Sequence, residues 1–196
     1  MRRFRISYPF LLVSALVLTL DAQGFFLLIW GAAMLHEAGH LAALRLMRCP
    51  VRKVTVTLTG LRIDYHPHGI SYRQDAVAAL AGPAANVVTA VLCAMLAHFF
   101  PLPPLFQFIG ISLLLASLNL LPALPLDGGR ALLSLLSLRL TPGHAMTVVR
   151  SVGLAAGCCL TAAGLWLLVK GGNFSLLICG ILLLYENTLQ EAPKTV

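Results

Sequence analysis

The sequence predicts an all-α membrane protein: a polytopic bundle of about six transmembrane helices, with a small β-hairpin at the membrane surface between helices two and three. Three observations predict it. Of 196 residues, 59% are hydrophobic and 11% are charged, against about 25% charged in a soluble domain. Mean hydropathy is +0.88. The apolar residues also gather into runs that approach the roughly 20 residues a helix needs to cross a bilayer. The whole chain, 1–196, reads as one integral membrane domain with a core at about 24–138.

The first run, Ile6 to Leu20, follows Arg2, Arg3 and Arg5 and ends at Asp21. It has the layout of a secretory signal, but "TLDAQGF" makes a poor small-residue cleavage site, so it reads as a retained span. The second run covers about Gly24 to Met47. Next comes "VRKVTVTLTGLRIDY", where Val54, Val56 and Leu58 alternate with Thr55, Thr57 and Thr59, Gly60 breaks the run, and Leu61, Ile63 and Tyr65 alternate again. That is the period of a hairpin over about 51–65. An open sheet cannot face lipid, which puts the hairpin at the membrane surface.

The third run, about Asp75 to Phe100, is closed by Pro101, Pro103 and Pro104. The fourth, about Leu105 to Leu138, is too long for one simple span and is interrupted by Pro122, Pro125, Gly128 and Gly129. The fifth covers about 147–169 and the sixth about 174–189. With the first run at 6–20, these last two are accessory to the core.

Charge sets the orientation. With the N-terminus in the cytoplasm and six spans threaded, thirteen of the fourteen Lys and Arg residues fall on the cytoplasmic side and only Lys170 outside. Cytoplasmic loops carry such an excess, so an even span count with both termini cytoplasmic is expected. The net charge of +7 is therefore topological and does not indicate a nucleic-acid partner. Five cysteines, Cys49, Cys93, Cys158, Cys159 and Cys179, lack metal-type spacing and read as small apolar residues.

Only two of the seven acidic residues, Glu37 and Asp127, fall at membrane depth by sequence. Ionisable groups there are costly and are functional candidates by default. Glu37 lies in "HEAGH", residues 36 to 40, which matches H-E-x-x-H. On a helix, residues four apart share a face, so His36 and His40 can bind one zinc ion. Glu37, beside the first ligand, can take a proton from the metal's water. Hydrolytic zinc usually has three protein ligands, and Asp127 in "LPALPLDGGR" is the candidate for the third. Asp-Gly-Gly is also turn chemistry. Broken backbone at membrane depth, however, is tolerated only where it lines a cavity or is buried in protein.

Asn86 in "AGPAAN" and Asn119 in "LNLLPALP" also lie in apolar surroundings. Each can hydrogen-bond a substrate carbonyl or oxyanion, or simply bond a neighbouring helix. His66 and His68 sit in a Pro-Gly turn and read as loop residues. Gly153 and Gly157 form a GxxxG that marks helix packing.

"HEAGH", "AGPAAN" and "NLLPALPLDGGR", in that order, resemble the motifs of the site-2 protease family of intramembrane zinc metalloproteases. The likeness is strongest to the small branch that includes the stage IV sporulation protease, and it covers about residues 1 to 140. It implies one zinc ion per chain, held by His36, His40 and Asp127, with Glu37 as catalytic base. It places Asn86 and Asn119 in motifs that line the active-site region. It implies a transmembrane or membrane-associated protein substrate, cut within or near the bilayer on the cytoplasmic side, and a location in a bacterial cell membrane. The interval from Met47 to Asp75 is too short for the PDZ domain of some branches, and no CBS domain follows span six. The rival from another class is a membrane zinc transporter, but transport needs ligands at several depths and the candidates here share one.

Overall fold

The computed structural model describes residues 3–6, 21, 24–49, 51–57, 60–65 and 70–189. Residues 7–20 of the expected first span, and His66 and His68, lie outside the described residues. The chain divides into two compact units, 1–117 and 118–196.

The first unit holds a three-stranded sheet, β1 (Arg3–Ile6), β2 (Val51–Thr57) and β3 (Gly60–Tyr65), in that spatial order. β2 and β3 run antiparallel, with Val54 opposite Ile63 and Val56 opposite Leu61, and the register shifts between Val51 and Lys53. β1 runs parallel to β2, from Arg3 opposite Lys53 to Ile6 opposite Val56. This third strand has no counterpart in the sequence reading: "RFRI" is too short to show alternation, and its apolar end merges with the run behind it.

Helix α1 (Phe25–Leu46) follows Gly24, whose φ is +70°. The Phe26 amide donates to the Asp21 carboxylate, satisfying one of the donors that a helix start leaves over. The helix ends by reversing hand at Arg48, φ +54°. The Cys49 amide then reaches the Leu44 carbonyl at 2.9 Å, and that of Arg48 reaches Arg45 at 3.0 Å. This is a Schellman closure. Its usual apolar contact is present, since Cys49 and Leu44 are buried together with Ala78. Helix α2 (Tyr72–Phe99) opens on a capping box. The Ser71 hydroxyl accepts from the Gln74 amide at 3.3 Å, and the Gln74 side chain accepts from the Ser71 amide at 2.9 Å. Helix α3 (Pro103–Asn119) carries the chain to the boundary between the units.

In the second unit the chain leaves helical geometry after Asn119 and re-enters it at α4 (Asp127–Leu136). The turn closes on itself: Ala123 donates to Leu121 at 2.8 Å, Leu126 to Ala123 at 2.9 Å, and Arg130 to Leu126 at 3.0 Å. Helix α5 (Pro142–Val169) has Pro142 in its first turn, where a missing N–H costs nothing. It lies against α6 (Ser175–Leu189). The expected Gly153 and Gly157 pair does face that neighbour: Cβ atoms there would run into Asn187 and Leu184. Arg150 closes the end of α6, donating from Nε to the Asn187 carbonyl at 3.2 Å and from Nη2 to that of Thr188 at 3.0 Å.

Among the described residues, three helices are long and apolar enough to cross a membrane: α1 with 22 residues, and α2 and α5 with 28 each. At 1.5 Å per residue they span about 33 and 42 Å, against a hydrocarbon core of about 30 Å. The sequence places five spans in this stretch. The other two, α3 and α6, are apolar but have 17 and 15 residues. Prolines bound the start of α3 and the break after Asn119 ends it, and both it and α6 are shorter than the other three.

Candidate metal centre

Helix α1 presents His36 and His40 on one face, 5% and 8% exposed. Their rings meet edge to face with centroids 4.8 Å apart, and their Nε2 atoms are separated by 3.2 Å. The outer nitrogens are held from α2. His40 Nδ1 lies 2.7 Å from the Ala78 carbonyl. A carbonyl only accepts, so the proton is on Nδ1 and the Nε2 lone pair points inward. His36 Nδ1 meets the Asn86 amide at 3.2 Å, and Asn86 is fully buried. Metal-binding histidines are commonly fixed in this way through the ring nitrogen that does not bind.

The two helices approach closely at two glycines. A Cβ at Gly39 would stand 2.5 Å from the Ala81 carbonyl oxygen. A Cβ at Gly82 would collide with His40 Nε2 and stand 2.8 Å from His36 Nε2. Gly82 thus leaves open the space in front of both inward nitrogens. That space fits a zinc ion. Two nitrogens each about 2.0–2.1 Å from a tetrahedral zinc stand roughly 3.3 Å apart, close to the separation found here. Nitrogen donors with their far sides hydrogen-bonded are what such an ion takes.

Glu37 is half-buried between the two histidines in sequence. In the second unit, Asp127 is the first residue of α4, half-buried, where the positive end of the helix dipole favours a carboxylate. Asn119 is the last residue of α3. The structure therefore unites His36, His40 and Asn86 within the first unit, while Asp127 and Asn119 belong to the second.

Sequence reasoning reaches Asn86 but not Gly82, four residues earlier in the same "AGPAAN" motif, where a glycine beside a proline inside an apolar run is the available signal. It misses Asn187 altogether. That residue is fully buried, and its amide donates to the Leu124 carbonyl at 2.7 Å and to the Leu183 carbonyl at 2.8 Å. It pins the loop that leads into Asp127. A polar residue in an apolar run is its only mark in the sequence.

No family model matches the chain. In sequence it is 33% identical over 114 residues to a Synechocystis sp. protein whose name carries the words zinc metalloprotease, covering 56% of this chain and 30% of that protein. It is 28% identical over 119 residues to a zinc metalloprotease of Methanocaldococcus jannaschii, covering 57% of this chain and 34% of that one. The chain thus spans about a third of the length of the curated relatives it matches. Among solved structures, the site-2 protease from Methanocaldococcus jannaschii superposes with a TM-score of 0.66 at 19% identity, over 100% of this chain and 92% of that one. The sequence matches are to proteins named zinc metalloproteases, and the fold is the one found in a site-2 protease.

Proposed function

We propose that the chain is an intramembrane zinc metalloendopeptidase that cuts membrane-embedded or membrane-associated proteins near the cytoplasmic side, with both of its termini in the cytoplasm of a bacterial cell. The observation that carries this reading is the pair of buried imidazoles whose Nε2 atoms converge at 3.2 Å on a space kept open by Gly82. His36, His40 and Asp127 hold one zinc ion. Asp127 supplies the carboxylate that a two-histidine site needs to reach three protein ligands. When bound, zinc polarises the scissile carbonyl and makes water a stronger acid.

The remaining chemistry belongs to the chain. Glu37 accepts the proton of the attacking water on a carboxylate oxygen and returns it to the leaving amine. The Asn119 amide donates to the carbonyl oxygen as negative charge gathers there. A helical peptide bond is shielded by its own hydrogen bonds, so the substrate enters extended. β2 is paired on both sides, so the sheet's outer edges belong to β1 and β3, and an added substrate strand takes the edge of the hairpin strand β3. The broken stretch from Asn119 to Asp127 admits water.

The test is co-expression with tagged single-span proteins, comparing wild type with Glu37→Gln. Cleavage by wild type, with uncut substrate accumulating on the variant, supports the reading. Zinc flux into liposomes with no cleavage of any peptide would replace it with a transporter.

A further inference from the structure

The two C-terminal helices pack on each other, but one side chain in them reaches out of the pair. Asn187 on α6 is fully buried. Its Nδ2 donates to the Leu183 carbonyl of its own helix at 2.8 Å and to the Leu124 carbonyl of the loop before α4 at 2.7 Å. Both partners are carbonyl oxygens, which only accept, so the NH2 end of the amide must face them. Oδ1 is turned toward Gly153 of α5 and, among the described residues, is buried without a hydrogen-bond partner. An unpaired buried oxygen is costly, so the contribution of this side chain lies in what Nδ2 holds.

Nδ2 holds more than one carbonyl. Gly128 and Gly129 bring the first turn of α4 hard against the loop: a Cβ at Gly128 would collide with the Leu120 carbonyl, and one at Gly129 with that of Ala123. Ala123 and Leu124 are both buried. The Leu126 amide closes on Ala123 at 2.9 Å and the Arg130 amide on Leu126 at 3.0 Å. Loop and first turn therefore move as one body, and Asp127 lies inside it, one helical turn from the carbonyl that Asn187 holds. Asn187 is itself fixed from α5. Arg150 donates to the Asn187 and Thr188 carbonyls, and the three atoms nearest to a Cβ at Gly153 all belong to the Asn187 side chain.

We propose that Asn187 is a positioning residue for the metal centre: from α6, through the Leu124 carbonyl, it sets where the loop presents the Asp127 carboxylate. The pair α5 and α6, accessory by its sequence, is then a working part of the enzyme. This deepens the metalloprotease reading and rests on Asp127 being a ligand.

The experiment is the zinc affinity of the purified full chain in detergent, with the visible absorption of its cobalt-substituted form, which reports the ligand set. Wild type is compared with Asn187→Leu, Gly153→Ala, Gly180→Ala and Asp127→Ala. Leucine fills the space of asparagine but donates nothing. The methyl of Gly153→Ala presses on the Asn187 amide from the α5 side. Gly180→Ala strains the same helix pair against the Thr161 backbone, about 10 Å along α6 from Asn187. Zinc affinity falls about tenfold in Asn187→Leu and Gly153→Ala, the lower end of the cost of losing a partner that orients a ligand. Their cobalt absorption moves toward that of Asp127→Ala. Gly180→Ala lowers the midpoint of thermal unfolding but binds zinc like wild type. The proposal is overturned if Asn187→Leu or Gly153→Ala binds zinc like wild type. It is also overturned if Gly180→Ala loses as much affinity as they do, since the effect then belongs to helix packing at large. Should Asn187→Leu fail to fold, the two glycine variants decide between these outcomes. Full zinc in Asp127→Ala removes Asp127 from the ligand set and the proposal with it, whereas zinc lost there but kept in Asn187→Leu and Gly153→Ala overturns the proposal alone.

Discussion

The two units build their functional residues by opposite means. In the first, the chemistry is local: His36 and His40 share a face because a helix repeats every 3.6 residues, and α2 needs only to supply Ala78, Gly82 and Asn86 against that face. In the second, Asp127 owes its place to a break. The helix stops at Asn119, the chain turns through three short backbone hydrogen bonds, and a buried asparagine 63 residues further on holds the Leu124 carbonyl. A periodic segment carries the geometry of its side chains within itself, whereas an interrupted one borrows it from distant chain.

The largest expected effect tests the first unit at its reacting group. Glu37→Gln keeps zinc and lowers the cleavage rate about 10²- to 10⁴-fold, the range for a lost general base; turnover at the wild-type rate would remove Glu37 from that role. Next, Gly82→Ala puts a methyl group where both Nε2 atoms face, so zinc content falls at least about tenfold while helix content by circular dichroism holds. If zinc uptake is unchanged, the glycine serves packing alone. For the second unit, Asp127→Ala lowers zinc content by a similar factor, and retention of full zinc would take Asp127 out of the ligand set.

Smaller effects sharpen the contrast between a borrowed geometry and a local one. Asn187→Leu strands the Leu124 carbonyl and costs about 1–3 kcal/mol, read as a lower midpoint of thermal unfolding in detergent. It also slows cleavage more than its loss of stability explains, because the loop before Asp127 loosens. Ser71→Ala removes one cap from α2 and costs about 1 kcal/mol, with zinc affinity unmoved.

Legibility in the sequence follows the same division. The "HEAGH" pair is readable because its histidines sit one turn apart and imidazole is costly to bury for nothing. The hairpin is readable from its alternating threonines, and the interruption near Asp127 from Pro122, Pro125, Gly128 and Gly129. β1 is hidden, since four residues at the head of an apolar run carry no period of their own. Of the expected crossings, length and composition support three among the described residues, α1, α2 and α5; hydropathy registers α3 and α6 as apolar without registering their length. The partner of Asn86 is not readable at all: whether it meets a substrate, a helix or His36 depends on how α1 and α2 approach, and Gly39 and Gly82 set that approach. Asn187 lies beyond reach for the same reason, with its acceptor 63 residues away.

The central claim is that the buried histidine pair is a metal centre. Its most direct measurement is the zinc content of the full chain purified from zinc-supplemented cells, beside His36→Ala and His40→Ala. The account predicts one zinc ion per wild-type chain and next to none in either variant. Wild-type protein without zinc, or a variant that retains as much as wild type, would contradict it.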